Sequence, residues 1–200
     1  MVDHRELSML PEQEWKLFYR NFQNKIWKKD NFDFEQRLES LKDVSTVAKK
    51  TGFKIYFANG ILLGAHRDND FIPWDDDIDF DCLSSDFLDV CDAAKEEFVK
   101  LGYIARLNKK QNKAKLNIYK NLEKTTFAAL YDLNKEYYFR HRYKWPKAFY
   151  QKPENINFKG INFTCPSPIE GYLTHVYGSD WMTPKRDENK EMTFSREIFL

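Results

Sequence analysis

Asp75, Asp76, Asp77 and Asp79 put four carboxylates within five residues, and Asp81 follows two positions later. Ile72-Pro73-Trp74 leads into the run, and Ile78 and Phe80 interrupt it. Read as a strand over 77–82, the side chains alternate between faces, with Asp77, Asp79 and Asp81 on one and Ile78, Phe80 and Cys82 on the other. Like charges along one strand face repel, and a cation seated among them removes the repulsion. Carboxylate oxygens are hard ligands, so the ion they favour is Mg²⁺ or Mn²⁺. An acidic run is more often a solvated loop, but the apolar lead-in and the alternation argue for a half-buried strand. A calcium loop opening at Asp75 fails, because Phe80 stands where that loop needs Gly and Asp86 where it needs Glu.

These acids must be held by neighbouring elements. Pro11 opens a helix to about Lys29, with Trp15, Phe18, Tyr19, Phe22 and Ile26 forming one apolar stripe. A second helix covers about Phe34 to Lys50, with Leu38, Leu41, Val44, Val47 and Ala48 inward and Gly52 as its stop. A strand over 53–58 then meets Asn59-Gly60, and a short helix begins near Ile61. After the acidic strand, Ser84-Ser85 can cap a helix to about Lys100, with Phe87, Leu88, Cys91, Ala94 and Phe98 inward. Strands are expected over 103–107, 114–120, 126–133 and 137–143, then a tight hairpin at Phe158–Phe163 turning on Lys159-Gly160. A short helix carries Ile169, Tyr172, Leu173 and Val176. The order suggests an α/β or α+β fold with a mixed sheet flanked by helices. A strand, a Gly turn into a helix, and a second strand bearing Asp-x-Asp combine meaningfully. The turn admits a phosphate to backbone N–H groups, and the acids hold a metal against it.

Asn59-Gly-Ile-Leu-Leu-Gly-Ala-His-Arg67 followed by Phe71-Ile-Pro-Trp-Asp-Asp-Asp-Ile-Asp79 resembles the LicD / fukutin-related family signature. Weaker likeness extends through Phe127–Leu133 and through Phe158 to Pro184, so the resemblance spans about 35–184. It implies a nucleotidyltransferase-like fold and transfer of a phospho-alcohol, such as phosphocholine or ribitol phosphate, from a CDP-linked donor to a glycan hydroxyl. Carried over by position, Asp77 and Asp79 are the primary metal ligands, and Asp75 and Asp76 are supporting or secondary ones. Asp132 is the third carboxylate, either a ligand or the base for the acceptor hydroxyl. Gly60 and Gly64 shape the phosphate-binding turn, and Arg67 clamps phosphate. Asp81 falls outside the pattern and is a bystander; Trp74, Tyr177, Asp180 and Trp181 read as structural. Two departures stand out: Ile61 replaces the family's hydroxyl residue, and Asp70 its glycine.

Two hundred residues suit one domain, with 1–32 as an N-terminal helical extension and 185–200 as a loose tail. A net charge of +1 gives no global field toward nucleic acid or membrane. Three cysteines without paired spacing argue against a disulfide framework, and the scattered histidines form no zinc pattern. No apolar run spans a bilayer and no signal-peptide core opens the chain, so it reads as reduced and cytoplasmic. The aromatic N-terminal helix leaves peripheral contact with a membrane or partner open. The expected partners are the CDP-linked donor and the glycan acceptor. A nucleotidyltransferase acting on an NTP, an Asp-x-Asp glycosyltransferase and a catalytically inactive nucleotide-binding relative remain the alternatives.

Overall fold

The computed structural model describes residues 3–27 and 33–185, without the side chains of 23–27. The Ile26 side chain at the end of the first stripe and the tail beyond Lys185 therefore lie outside what the structure describes.

Seven helices and nine strands form among the described residues. A short α1 (His4–Met9), capped by Asp3, precedes α2 (Glu12–Trp27), which starts just after Pro11. Asp33 accepts from the Gln36 N–H to cap α3 (Phe34–Thr51), and Gly52, at φ 72°, ends it in the left-handed conformation. The next strand is only β1 (Tyr56–Phe57), shorter than expected, and it runs directly into α4 (Asn59–Arg67). The acidic segment supplies β2 (Ile78–Leu83), followed by α5 (Ser84–Lys100). Here two expectations fail: no serine hydroxyl caps α5, whose N-cap is Leu83, and Leu88 is 43% exposed. The stripe of α5 is Phe87, Cys91, Ala94 and Phe98, and Leu88 lies beyond its edge.

Strands β3 (Ile104–Asn108), β4 (Lys115–Lys120) and β5 (Glu123–Asp132) follow as a meander. The expected single strand over 137–143 is a hairpin instead, β6 (Tyr137–Arg140) and β7 (Tyr143–Pro146). Its turn forces His141 to φ 56°, which a continuous strand cannot accommodate. The chain closes with α6 (Ala148–Gln151), β8 (Glu154–Phe158), β9 (Ile161–Cys165) and α7 (Ile169–Tyr177). Lys159 and Gly160 take positive φ in the β8–β9 turn, as the Lys-Gly pair suggested.

The main sheet runs β1-β2-β5-β4-β3, with β6 and β7 extending from the far end of β5. Only β2 and β5 pair in parallel; the other neighbours are antiparallel, so the sheet is mixed. Its two faces differ in chemistry. On one, Phe80 stacks on Phe127 at 5.3 Å and Phe98 of α5 on Phe127 at 5.6 Å, with Leu116, Ile118 and Cys82 buried beside them. Helices α3 and α5 cover this face. The other face carries Asp79 and Asp81 from β2, Lys124 and Thr126 from β5, and Lys115, Asn117 and Tyr119 from β4, as cross-strand pairing requires. Trp15, Tyr19 and Phe22 of α2 pack around the Tyr119 ring with centroids 5.1–5.7 Å away, so the N-terminal extension sits on this polar face. Among the described residues no helix is long and apolar enough to cross a membrane.

Candidate active site

The acidic segment enters β2 over α4. Its turn closes through a hydrogen bond from the Asp75 N–H to the Ile72 carbonyl, 3.1 Å. Arg37, on α3, donates to the Asp75 carbonyl at 2.6 Å while its Nε donates to Glu123 at 2.8 Å. The Arg37 and Glu123 side chains are 1% and 2% exposed, so this buried pair ties helix, acidic turn and the start of β5 together. Breaking such a pair from one side typically costs about 3–5 kcal/mol.

The glycines of α4 seat this turn. A Cβ on Gly60 would stand 2.0 Å from a carboxylate oxygen of Asp75, and one on Gly64 2.5 Å from the backbone oxygen of Asp70. Positions four apart share a helix face, so the two glycines together make a flat track for residues 70–75. The expectation of a glycine turn open to phosphate changes accordingly: Gly64 is filled by chain, and Gly60 by the Asp75 carboxylate. That carboxylate lies at the first turn of α4, whose N-cap residue Ala58 offers no side-chain acceptor, and the helix dipole favours an anion there.

Asp75, Asp76 and Asp77 each present a carboxylate oxygen, all within 4.8 Å of one another. Asp79, expected beside Asp77 as a primary ligand, is not one of the three; it lies next along the polar face of β2 and feels the charge of Asp77. Its pKa is pushed up to about 7, first by burial and then by the charge of Asp77, with Lys124 and Arg140 pulling the other way. Asp75 is raised well above the ordinary carboxylate value, again by burial and next by Asp77, against the pull of Arg37. The donor set, three converging hard oxygens, fits a divalent ion of the Mg²⁺ or Mn²⁺ type. Lys124 donates to Asp77 at 2.6 Å. Burial alone would lower the lysine's pKa, but Asp77 foremost holds it above the usual value.

Asp81 is not the bystander that its place outside the motif suggested. It is wholly buried, accepting from Arg140 at 2.6 Å, from the Tyr150 hydroxyl at 2.8 Å and from the Tyr172 hydroxyl at 3.1 Å. The Tyr172 oxygen in turn accepts from the Asn59 N–H at 3.4 Å, so this hub grips the residue that opens α4 at φ 54°. Alternation on β2 thus puts the three acids on one face as expected, but Asp81 serves to hold β2, β6, α6 and α7 together.

Two expected site residues are elsewhere. Asp132 ends β5 six positions beyond Thr126, the cross-strand partner of Asp79, which is about 20 Å along a strand. There it is 72% exposed and paired with Lys147. It is not brought to the acidic cluster. Arg67 ends α4, seven residues and about 10 Å of helix from Gly60. Its guanidinium forks onto the adjacent Asp68, with contacts of 2.7–3.1 Å. A near neighbour in sequence has satisfied it before any phosphate. Trp74 packs against the core as read, and Trp181 packs with His66 at 5.7 Å.

The fold is a mixed sheet with an acidic cluster at the mouth of a parallel strand pair, backed by a glycine-faced helix. The family model described as LicD/FKTN/FKRP, nucleotidyltransferase domain, matches residues 52–168, more than half of the chain. The chain belongs to this family of transferases. Helices α1–α3 and α7 fall outside the matched span. Among solved structures, the chain is similar to the solution structure of the antibiotic-resistance factor ANT(2'')-Ia, at 13% identity and TM-score 0.48, over 68% of this chain and 67% of that one. It is also similar to the crystal structure of ANT(2'')-Ia in complex with adenylyl-2''-tobramycin, at 13% identity and TM-score 0.45, over 66% and 70% of the two chains. No curated protein matches the chain.

Proposed function

We propose that the protein transfers a phospho-alcohol group, of the phosphocholine, glycerol-phosphate or ribitol-phosphate kind, from a CDP-linked donor to a sugar hydroxyl of a cell-surface glycan. The observation that carries this reading is the convergence of the Asp75, Asp76 and Asp77 carboxylates within 4.8 Å, in a chain of the LicD/FKTN/FKRP family. Asp75, Asp76 and Asp77 would hold a divalent ion, with Asp79 beside them. When bound, such an ion supplies charge neutralisation to phosphate oxygens. The residues' own part is positional. Arg37 and Glu123 fix the acidic turn, Gly60 and Gly64 let it lie on α4, and the Asp81 hub fixes β2 against α7. The acceptor hydroxyl would attack the donor's β-phosphorus as the bond to CMP breaks, the in-line geometry of phosphoryl transfer.

A thermal-shift and turnover panel tests it: CMP, CDP, CDP-choline, CDP-glycerol, CDP-ribitol and NTPs, each with and without Mg²⁺. A magnesium-dependent rise specific to CDP compounds is expected, together with turnover that is lost in Asp77→Ala. A response to NTPs alone would replace this reading with nucleotidyl transfer. A second reading, a nucleotide-binding relative without turnover, is favoured by one feature: the Lys124 ammonium stands on Asp77. CDP binding with no turnover of any CDP-alcohol would select it.

A further inference from the structure

The polar face of the sheet is divided by charge. The acids lie on β2 and the segment before it, while the cations lie on the two strands beyond. Lys124 occupies the β5 level facing Asp77, and Thr126 pairs with Asp79 on one side and Asn117 on the other. One level further, Ala128 separates Asp81 of β2 from Lys115 of β4. Strands are about 4.8 Å apart, so β2 and β4 stand about 10 Å apart across this floor.

We propose that Lys115, with Asn117 and Lys124, binds the diphosphate of the donor on the β4–β5 side of this polar face, across from β2. The inference rests on the reading of the protein as a transferase of a phosphate-bearing donor, and it assigns the anion side of that site. Three observations support it. Lys115 alternates with the buried Leu116 and Ile118, which fixes it on the polar face. Among the described residues no carboxylate lies within ion-pair distance of it, whereas Lys120 on the same strand, Lys124 on β5 and Lys147 before α6 are all paired. Loss of hydration and the nearby charge of Lys124 both weaken its hold on a proton, with Asp79 and Asp77 opposing them, so an arriving anion is what its surroundings lack. Asn117 already accepts from the Thr126 hydroxyl through its amide oxygen at 3.1 Å, which keeps its NH₂ for donation. Lys124 is held by Asp77 in the absence of another cation. A divalent ion taking up Asp77 would free the ammonium for a phosphate oxygen.

The test is calorimetric binding of inorganic pyrophosphate in saturating Mg²⁺ to the wild-type chain, Lys115→Met and Lys115→Glu, with Lys113→Met as a control in the adjoining loop. A charged hydrogen bond contributes about 1.5–3 kcal/mol, so Lys115→Met should weaken binding roughly tenfold or more and Lys115→Glu further. Lys113→Met should bind as wild type, and unfolding curves should coincide, since the Lys115 ammonium makes no ion pair among the described residues. Unchanged affinity in Lys115→Met, or no pyrophosphate binding by the wild type, overturns the proposal. Turnover of CDP-alcohols is measured in parallel. Lys115-dependent pyrophosphate binding without such turnover supports this site while sinking the functional reading. Turnover that ignores Lys115 does the reverse.

Discussion

Asp79 and Asp81 stand two residues apart on one face of one strand, and their removal should act on stability with opposite signs. Asp79 carries a pKa of about 7 in the folded chain against an ordinary 3.8, because burial and Asp77 disfavour its charge. The unfolded chain ionises it near pH 4, so between about pH 4 and 7 the folded state binds the extra proton and stability falls as pH rises. A shift of about three units corresponds to at most about 4 kcal/mol. Allowing for solvent screening of a half-buried group, about 1–2 kcal/mol is the reasonable size. Asp79→Asn does not titrate, so without divalent ions it should exceed the wild type by that amount above pH 7 and equal it near pH 4. Asp81→Asn is the opposite case. It leaves the Arg140 guanidinium without its charge partner and disturbs two tyrosine hydroxyls, and loss of one member of a buried pair costs about 3–5 kcal/mol. For a chain of this size that is roughly a 6–20 °C fall in Tm. Urea unfolding in EDTA at pH 4.5, 6 and 7.5 reads both. A destabilised Asp79→Asn at pH 7.5, or an Asp81→Asn with wild-type stability, would show that the charge account of this face is wrong.

Because ion binding must displace protons held by Asp75 and Asp79, Mg²⁺ should raise Tm more at pH 8 than at pH 5.5; an equal rise at both would place the ion elsewhere. Gly64→Ala should cost about 1–3 kcal/mol by chemical denaturation, since its new Cβ meets backbone at 2.5 Å. Gly60→Ala, whose new Cβ meets only the Asp75 side chain, should fold almost normally but bind Mg²⁺ weakly in calorimetry. Asp132→Ala should leave turnover within about twofold of wild type, its side chain being exposed and about 20 Å along the sheet from the cluster.

Much of the site was legible along the chain. The Asp-x-Asp alternation predicted which side chains share a face, and β2 obeys it because a pleated strand cannot do otherwise. The helices with continuous stripes, α3, α5 and α7, lie within a residue or two of their expected bounds. What misled was position without distance. Asp132 looked like a third carboxylate because a strand ends there, but parallel pairing of β2 with β5 carries that end away from Asp79. Arg67 looked like a phosphate clamp by its place in the motif, yet its guanidinium is forked onto the adjacent Asp68. Arg37, Glu123 and Lys124 gave no local signal. Each is an ordinary charged residue until a partner or neighbour far along the chain is folded against it.

The sequence by itself determined the acids, their alternation, the glycine spacing that precedes them and the family to which they belong. These are properties of neighbouring residues, and backbone geometry relates neighbours directly. Tertiary structure alone decided that Asp75, Asp76 and Asp77 converge while Asp132 does not, that Asp81 is a buried anchor, and that cations from β4 and β5 face the acids. Electrostatic energy depends on separation in space and on the water excluded between charges, and only packing the sheet against its helices sets those two quantities.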